Sequence, residues 1–254
     1  MSWWLLFKNE VKLQAFDMRQ YWFETVASLV VLCGMFVALF YGVKSFAFEG
    51  GVGQSLDGLV FGFLLWAFAS AAYMSVTRTV VDDTQKGYIE QLFINPKGFT
   101  AILFVKTMVE LLSALLFMTL MAYLVMWLTG NWLDINFLRF FLVLIIAAPS
   151  LIGLGLFVSG FALVFKRVDT IGHMLALALM ALVALDGLPF GPLSFLPFTP
   201  GVSLARDWVL QHSNLNLSDV LIVIANSAIY FAIGSVVFKH FEKVAKRKNL
   251  IGQY

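Results

Sequence analysis

Charge is scarce in this sequence. Asp, Glu, Lys and Arg make up 13% of its 254 residues, well below the roughly 25% that is usual for soluble domains. Hydrophobic residues make up 61%, and the mean hydropathy is +0.88. No polar stretch is long enough to form a separate catalytic domain. The composition therefore predicts an integral membrane protein.

Cysteine and the short motifs of enzymes are missing too. Cys33 is the only cysteine, which excludes a disulfide or a cysteine-based metal site within one chain. The sequence contains no phosphate-binding loop of the form G-x-x-x-x-G-K-[ST], no H-E-x-x-H and no G-x-S-x-G. We therefore predict no catalytic residue, no metal site and no cofactor on this chain.

Apolar runs of membrane length fill most of the sequence and predict an all-α membrane protein. At about 20 residues per span, six transmembrane helices fit, and residues 1–254 form one membrane domain. The spans are predicted at about 25–47, 57–78, 100–128, 137–165, 170–186 and 218–238. Pro149 predicts a kink in the fourth span. Small residues predict close helix contacts in the first span, at Gly34, Ala38 and Gly42, and in the fourth, at Gly153, Gly155, Ser159 and Gly160.

The N-terminal segment 2–23 differs from the spans because basic residues interrupt it. Trp4, Phe7 and Val11 recur at the spacing of one helical face, and Lys8 and Lys12 lie off that face. This pattern predicts an amphipathic helix in the plane of the membrane surface; the alternative is a frayed terminus. No cleavable signal peptide is expected, because charges are scattered ahead of the first long apolar run.

The stretch 82–98 is the long polar interruption of the first half. Tyr88 and Leu92 belong to one apolar helical face, Asp83 can cap the start, and Pro96 ends the pattern. We predict a short amphipathic helix at the membrane surface; the alternative is an ordinary solvated loop helix.

A second interruption, 186–201, is apolar but rich in proline. A continuous helix is excluded there, and an apolar broken segment is expected to be buried or re-entrant. Four of the six prolines of the chain lie in it: Pro189, Pro192, Pro197 and Pro200.

The distribution of Lys and Arg predicts the topology. They concentrate in the N-terminal segment, around 78–97, in the loop 166–169 and after the sixth span, which places both termini and the stretch 82–98 in the cytoplasm. Lys106 and Glu110 share a helical face near the inner end of the third span, which predicts a structural ion pair between them.

The residue order in the polar stretch resembles that of a known family. Gly87-Tyr88-Ile89-Glu90-Gln91-Leu92-Phe93, followed by Pro96, is similar to the segment between the second and third spans of ABC-2 type transporter permeases, the membrane subunits of ATP-driven ABC exporters. The resemblance extends to the interfacial N-terminal helix, the six spans and the outer proline-rich segment. There, Leu196-Pro197 matches a signal of the family, whereas Thr199-Pro200 departs from it.

This resemblance implies specific partners and residues. The short helix would be the coupling helix that docks on a separate ATPase subunit, which binds ATP and Mg, through Asp83, Lys86, Gly87, Tyr88, Glu90, Gln91 and Leu92. A second permease copy or a paralogue would lie beside this chain in a prokaryotic inner membrane. The export pathway between them, lined by spans 2 and 5, would include Phe61, Trp66, Met174 and Leu177. No nucleic acid is expected.

Two other functions remain open at this point. A gradient-driven secondary transporter usually shows internal repeats and carboxylates at the membrane midplane; no repeat is evident, and Glu110 is the one deep carboxylate candidate. A membrane scaffold or assembly protein would transport nothing. An ATPase encoded next to the chain would favour the permease. For the cargo, the short outer loops favour an apolar or amphipathic compound.

Overall fold

Eight α-helices form nearly all of the chain that the structure, a computed structural model, describes: residues 3–46, 52–85, 99–165 and 169–247. The helices are α1 (Trp3–Gln20), α2 (Trp22–Phe46), α3 (Val52–Gln85), α4 (Phe99–Thr129), α5 (Phe137–Phe165), α6 (Asp169–Val183), α7 (Thr199–Ala205) and α8 (Leu217–Arg247). A 3-10 turn at Pro192–Phe195 and a π turn at Arg206–Leu210 flank α7. These ranges contain no strand, as expected where a helix satisfies its own backbone in an apolar medium.

The length and hydropathy of the helices are those of a multi-pass membrane protein. Five of the described helices are long and apolar enough to cross a membrane: α2, α3, α4, α5 and α8. The predicted all-α membrane class is therefore confirmed. The apolar part of α6 is shorter, Thr170–Val183, and at 1.5 Å per residue it covers about 20 Å of the roughly 30 Å hydrocarbon core. A sixth span at 170–186 stays a prediction.

Helix α5 lies between α3 and α8, and the three helices run parallel. Gly153 of α5 packs directly on the α8 backbone at Tyr230, and Gly234 of α8 packs on the Gly153 carbonyl. On another face of α5, a Cβ at Gly155 would lie 2.8 Å from the carbonyl oxygen of Tyr73 in α3. The close contacts predicted for the fourth span are confirmed, since larger residues would force these backbones apart.

Two other expectations, the kink at Pro149 and the close contacts of α2, are not confirmed by the structure. Pro149 lies inside α5, which continues without a break through it, so the kink stays a prediction. In α2, a Cβ added at Gly34 or Gly42 would meet no atom within 4 Å. The close helix contact predicted from the row of small residues is therefore not made at Gly34 within the described chain.

The remaining helices surround α3, α5 and α8, which together we call the α3–α5–α8 row. α4 and α6 both pack antiparallel on α3, and α2 packs on α4 and α3. α1 crosses the start of α4, where Leu6 is buried against Ile102 and Val105. The turn at Tyr21 separates α1 from α2, so the two helices predicted at 2–23 and 25–47 are distinct.

Candidate functional site

Polar side chains join α3 and α4 at both ends of their antiparallel contact. At one end, Asn131 donates a hydrogen bond from Nδ2 to Oδ1 of Asp57 over 2.7 Å. At the other end, Thr79 donates to Glu110 over 2.9 Å. Asp57 and Thr79 lie 22 positions apart, about 33 Å along a helix, which is close to the thickness of a hydrocarbon core. The spacing of the two polar contacts is therefore that of two contacts on opposite sides of a hydrocarbon core.

The Thr79–Glu110 contact belongs to a larger group defined by Glu10, Thr79, Asp83, Lys106 and Glu110. We name this group the inner polar cluster, after the side of the membrane that the sequence predicts for it. One turn beyond the Thr79 contact, Lys106 Nζ lies 2.9 Å from Oδ2 and 3.3 Å from Oδ1 of Asp83. Both side chains are mostly buried, 20% and 11% exposed. Removal of either partner of such a buried ion pair leaves the other charge unpaired, which strongly destabilises the fold.

Helix α1 adds a second carboxylate to this end of the cluster. Burial raises the pKa of Glu10; the Lys106 ammonium opposes this rise and the Asp83 carboxylate adds to it. The Glu10 carboxylate therefore interacts electrostatically with the Asp83–Lys106 ion pair where α1, α3 and α4 come together.

The structure corrects two expectations here. Lys106 was expected to pair with Glu110 one turn away, but it binds Asp83 across the helix contact, and Glu110 accepts from Thr79. Asp83 was expected to cap the next helix and face the ATPase. It lies within the last turns of α3 and is mostly buried on Lys106, so it joins α3 to α4 rather than capping the next helix, and its docking on an ATPase stays a prediction. The other docking candidates (Lys86, Gly87, Tyr88, Glu90, Gln91 and Leu92) lie outside the described residues.

A second polar surface lies between α3 and α6. Trp66 donates a hydrogen bond from Nε1 to the backbone oxygen of Ala176 over 3.1 Å. Further along the same face of α3, the hydroxyls of Ser70 and Tyr73 are buried without a hydrogen-bond partner among the described residues. A Cβ at Gly172 of α6 would lie 3.8 Å from the Tyr73 hydroxyl. Within the part of the chain that the structure describes, these two hydroxyls therefore add no hydrogen bond between α3 and α6.

The four residues predicted to line a pathway do not lie together. Phe61 is in the core, with its ring 5.1 Å from that of Phe140 in α5, so the structure assigns it to packing. Trp66 is half-buried at the contact with α6. Met174 and Leu177 are 65% and 66% exposed on the far face of α6. Of these four residues, only the α6 pair is exposed in the described chain, and a role in a pathway stays a prediction for all four.

The C-terminal end of α6 is held by the π turn that follows α7. Arg206 pairs with Asp186 over 2.6 Å and donates to the carbonyl of Val183 over 3.1 Å. An arginine on the last carbonyls of a helix stabilises its C-terminal end. Asp207 next to it has a raised pKa, because burial and then the Asp186 carboxylate disfavour its charge.

The proline-rich segment itself is fixed to α5 and α8. Asn226 of α8 donates from Nδ2 to the carbonyls of Ser194 and Leu196, over 2.9 and 3.0 Å. In α7, a Cβ at Gly201 would lie 2.5 Å from Cβ of Ala147, ten positions inside α5. Sequence patterns missed Asn226, Arg206 and Glu10, because a lone polar residue in a helix does not indicate its distant partner.

These contacts define the class of protein: an all-α membrane protein of several passes, with one polar cluster where α1, α3 and α4 meet and a second polar surface under α6. Among the described residues no three His, Cys, Asp or Glu side chains are placed to hold a metal ion. Comparison with models of known protein families and with curated proteins gives no match for this chain.

Proposed function

We propose that this chain is the permease subunit of an ABC transporter of the ABC-2 type, coupled to a separate subunit that hydrolyses ATP. The observation that carries the proposal is the inner polar cluster at the ends of α3 and α4. These are the two helices that enter and leave the segment 86–98, whose sequence resembles a coupling helix. α3 continues six residues past Thr79 to Gln85, about 9 Å, and so extends beyond the polar contact before the segment begins.

The cluster supports a route for mechanical coupling. A push by the ATPase on residues 86–98 would act on α3 and α4 as a unit, because the Asp83–Lys106 ion pair and the Thr79–Glu110 hydrogen bond join them. Glu10 adds α1 to the moving group. The glycine contact between α3 and α5 would then pass the movement to the rest of the membrane domain.

The exposed face of α6 supports a pathway between two permease copies, or between this chain and a paralogue. Met174 and Leu177 lie on that face, and Trp66 connects its other side to α3. An apolar or amphipathic cargo suits such a surface. The proposal includes α6 as a sixth span, a re-entrant segment at 186–201, both termini in the cytoplasm of a prokaryote, and ATP with Mg on the partner. Export as the direction rests on the family resemblance.

Purification of the tagged chain from its native membranes in mild detergent tests the proposal. An ATPase with a phosphate-binding loop should co-purify. Glu90→Ala should weaken that association at least tenfold, because a hydrogen bond to a charged group contributes about 1.5–3 kcal/mol. Lys243→Ala, at the exposed end of α8, is the control and should change nothing. Absence of any such ATPase, or its full retention after deletion of residues 85–93, would exclude the proposal.

The position of the Glu110 carboxyl is the one observation that favours a gradient-driven transporter instead. Its carboxyl is mostly enclosed between α3 and α4, as in a proton-binding site. It lies near one membrane boundary rather than at the midplane, which favours a structural role. Glu110→Gln should leave ATP-driven activity largely intact in an ABC permease and abolish transport in a proton-coupled carrier.

A further inference from the structure

An apolar groove runs along α4 beside α1, on the membrane half that contains the inner polar cluster. Its floor is formed by Val105, Leu111 and Leu115, which are 6–7% exposed, and its rims include Leu112 and Ile145, each 48% exposed. Trp3 and Phe7 of α1 close one end. Every residue that lines the groove is apolar. A buried floor with exposed rims distinguishes this groove from an ordinary lipid-facing helix surface.

The dimensions of the groove decide what fits in it. From Phe104 to Leu115, α4 advances 11 positions, about 16 Å, which is close to one leaflet of a roughly 30 Å core. The volume is about 410 Å³. This length and the wholly apolar lining suit one hydrocarbon chain, which makes contacts at about 4 Å.

The charges at the α1 end complement an anionic headgroup. Lys8 follows Phe7 directly, and Lys12 lies one turn further along α1; both are exposed. Glu10 is half-buried toward Lys106, so the exposed charge on this part of α1 is mainly positive. Basic residues at the membrane surface attract anionic lipids, by about 1 kcal/mol each.

We propose that this groove retains one acyl chain of an anionic phospholipid from the leaflet on which α1 lies, with its headgroup beside Lys8 and Lys12. The lipid fills the space between α1 and α4 and holds α1 against the inner polar cluster. This binding site does not depend on the proposed transport function. A lipid held in this way exchanges more slowly than the surrounding bilayer.

Photolabelling tests the site in the intact protein. The full chain is reconstituted in bilayers of phosphatidylethanolamine with a trace of phosphatidylglycerol that carries a diazirine on its acyl chain, irradiated, digested and analysed by mass spectrometry. Label should concentrate on α4 between Met108 and Leu115. Leu112→Trp fills the groove and should reduce that label at least fivefold. Leu116→Trp, one turn along on the lipid-facing side at 74% exposure, should not.

Other results would overturn the site. Equal label at Leu112, Leu116 and Leu120, unchanged by Leu112→Trp, would mean ordinary bilayer contact. High-yield disulfide dimers of Leu112→Cys would mean that a second copy covers the groove. Ile145→Trp approaches from the opposite rim and should act as Leu112→Trp does, which guards against misfolding of a single variant. Replacement of both Lys8 and Lys12 by Ala should remove the preference for the phosphatidylglycerol probe over a phosphatidylcholine probe.

Discussion

Helix α3 contacts its neighbours in two opposite ways. Toward α5 it presents its backbone at Tyr73 and the apolar side chains of Phe61 and Val76, and Gly155 lets the two helices approach closely. Toward α6 it presents Trp66, Ser70 and Tyr73, of which only Trp66 has a hydrogen bond to α6. On the first side, α5 packs in turn on α8 through Gly153. On the second side lies α6, a helix of 15 residues.

The difference indicates which part of the molecule moves. In a membrane, helices associate through close packing and internal hydrogen bonds, because lipid tails are as apolar as the side chains. The α3–α5–α8 row has both: glycine contacts, and hydrogen bonds of 3.4 Å from the hydroxyls of Ser159 and Ser227 to backbone carbonyls of the neighbouring helix. The α3–α6 contact has few of either. We therefore expect the row to act as a rigid body and α6 to be the helix that shifts.

The largest effect is expected from Gly234→Ala, which would abolish the close contact in the row. The added methyl group overlaps the Gly153 carbonyl, and overpacking costs about 1–3 kcal/mol. The matched control is Gly34→Ala in α2, where the methyl meets open space and alanine favours the helix. The melting temperature in detergent should fall clearly for the first variant only. Equal melting temperatures would contradict a rigid row.

The second prediction concerns Asn226→Leu. It leaves the carbonyls of Ser194 and Leu196 without their donor, and an unsatisfied buried group costs about 1–3 kcal/mol. We expect faster proteolysis between 186 and 201. Ser227→Ala, at the next position, removes only a 3.4 Å contact and serves as the control. Similar protection in both variants would show that packing alone holds the outer segment.

A third prediction tests the contact between α3 and α6, which we expect to be weaker than the contacts within the α3–α5–α8 row. Trp66→Phe keeps the aromatic ring but removes the donor to Ala176, a hydrogen bond with a net value of about 1 kcal/mol. Hydrogen exchange of α6 amides should become about fivefold faster, with no change in α8. Trp127→Phe, 69% exposed on α4, is the control. Acceleration of α8 as well would mean that α6 belongs to the rigid row.

The smallest effect is expected at the outer end of α6 and depends on pH. Because the pKa of Asp207 is raised in the folded protein, ionisation destabilises the fold as pH rises above the ordinary value of about 3.9. Asp207→Asn should therefore raise the melting temperature slightly at pH 7 and leave it unchanged at pH 3, where the carboxyl is protonated in both states. The same gain at both pH values would assign the effect to packing.

The sequence predicted elements with local signals and missed the contacts between them. The bounds 137–165 were correct for α5 because glycine, asparagine and charged residues flank the apolar run. α3 was expected to end near 78 but continues to Gln85, because its last polar residues remain helical through the Asp83–Lys106 pair. The pairing of Lys106 with Glu110 was wrong because spacing within one helix says nothing about a partner on the next helix.

The parallel order of α5 and α8 has a consequence for biosynthesis. Gly153 of α5 packs on Tyr230 and Gly234 of α8, which follow it about 80 residues later in the chain. At the usual 5–20 residues per second, α5 waits about 4–16 s in the membrane with this surface uncovered. During that interval an insertion chaperone or a membrane protease can bind it. Nascent-chain quality control therefore has a defined window to act, which closes when α8 arrives.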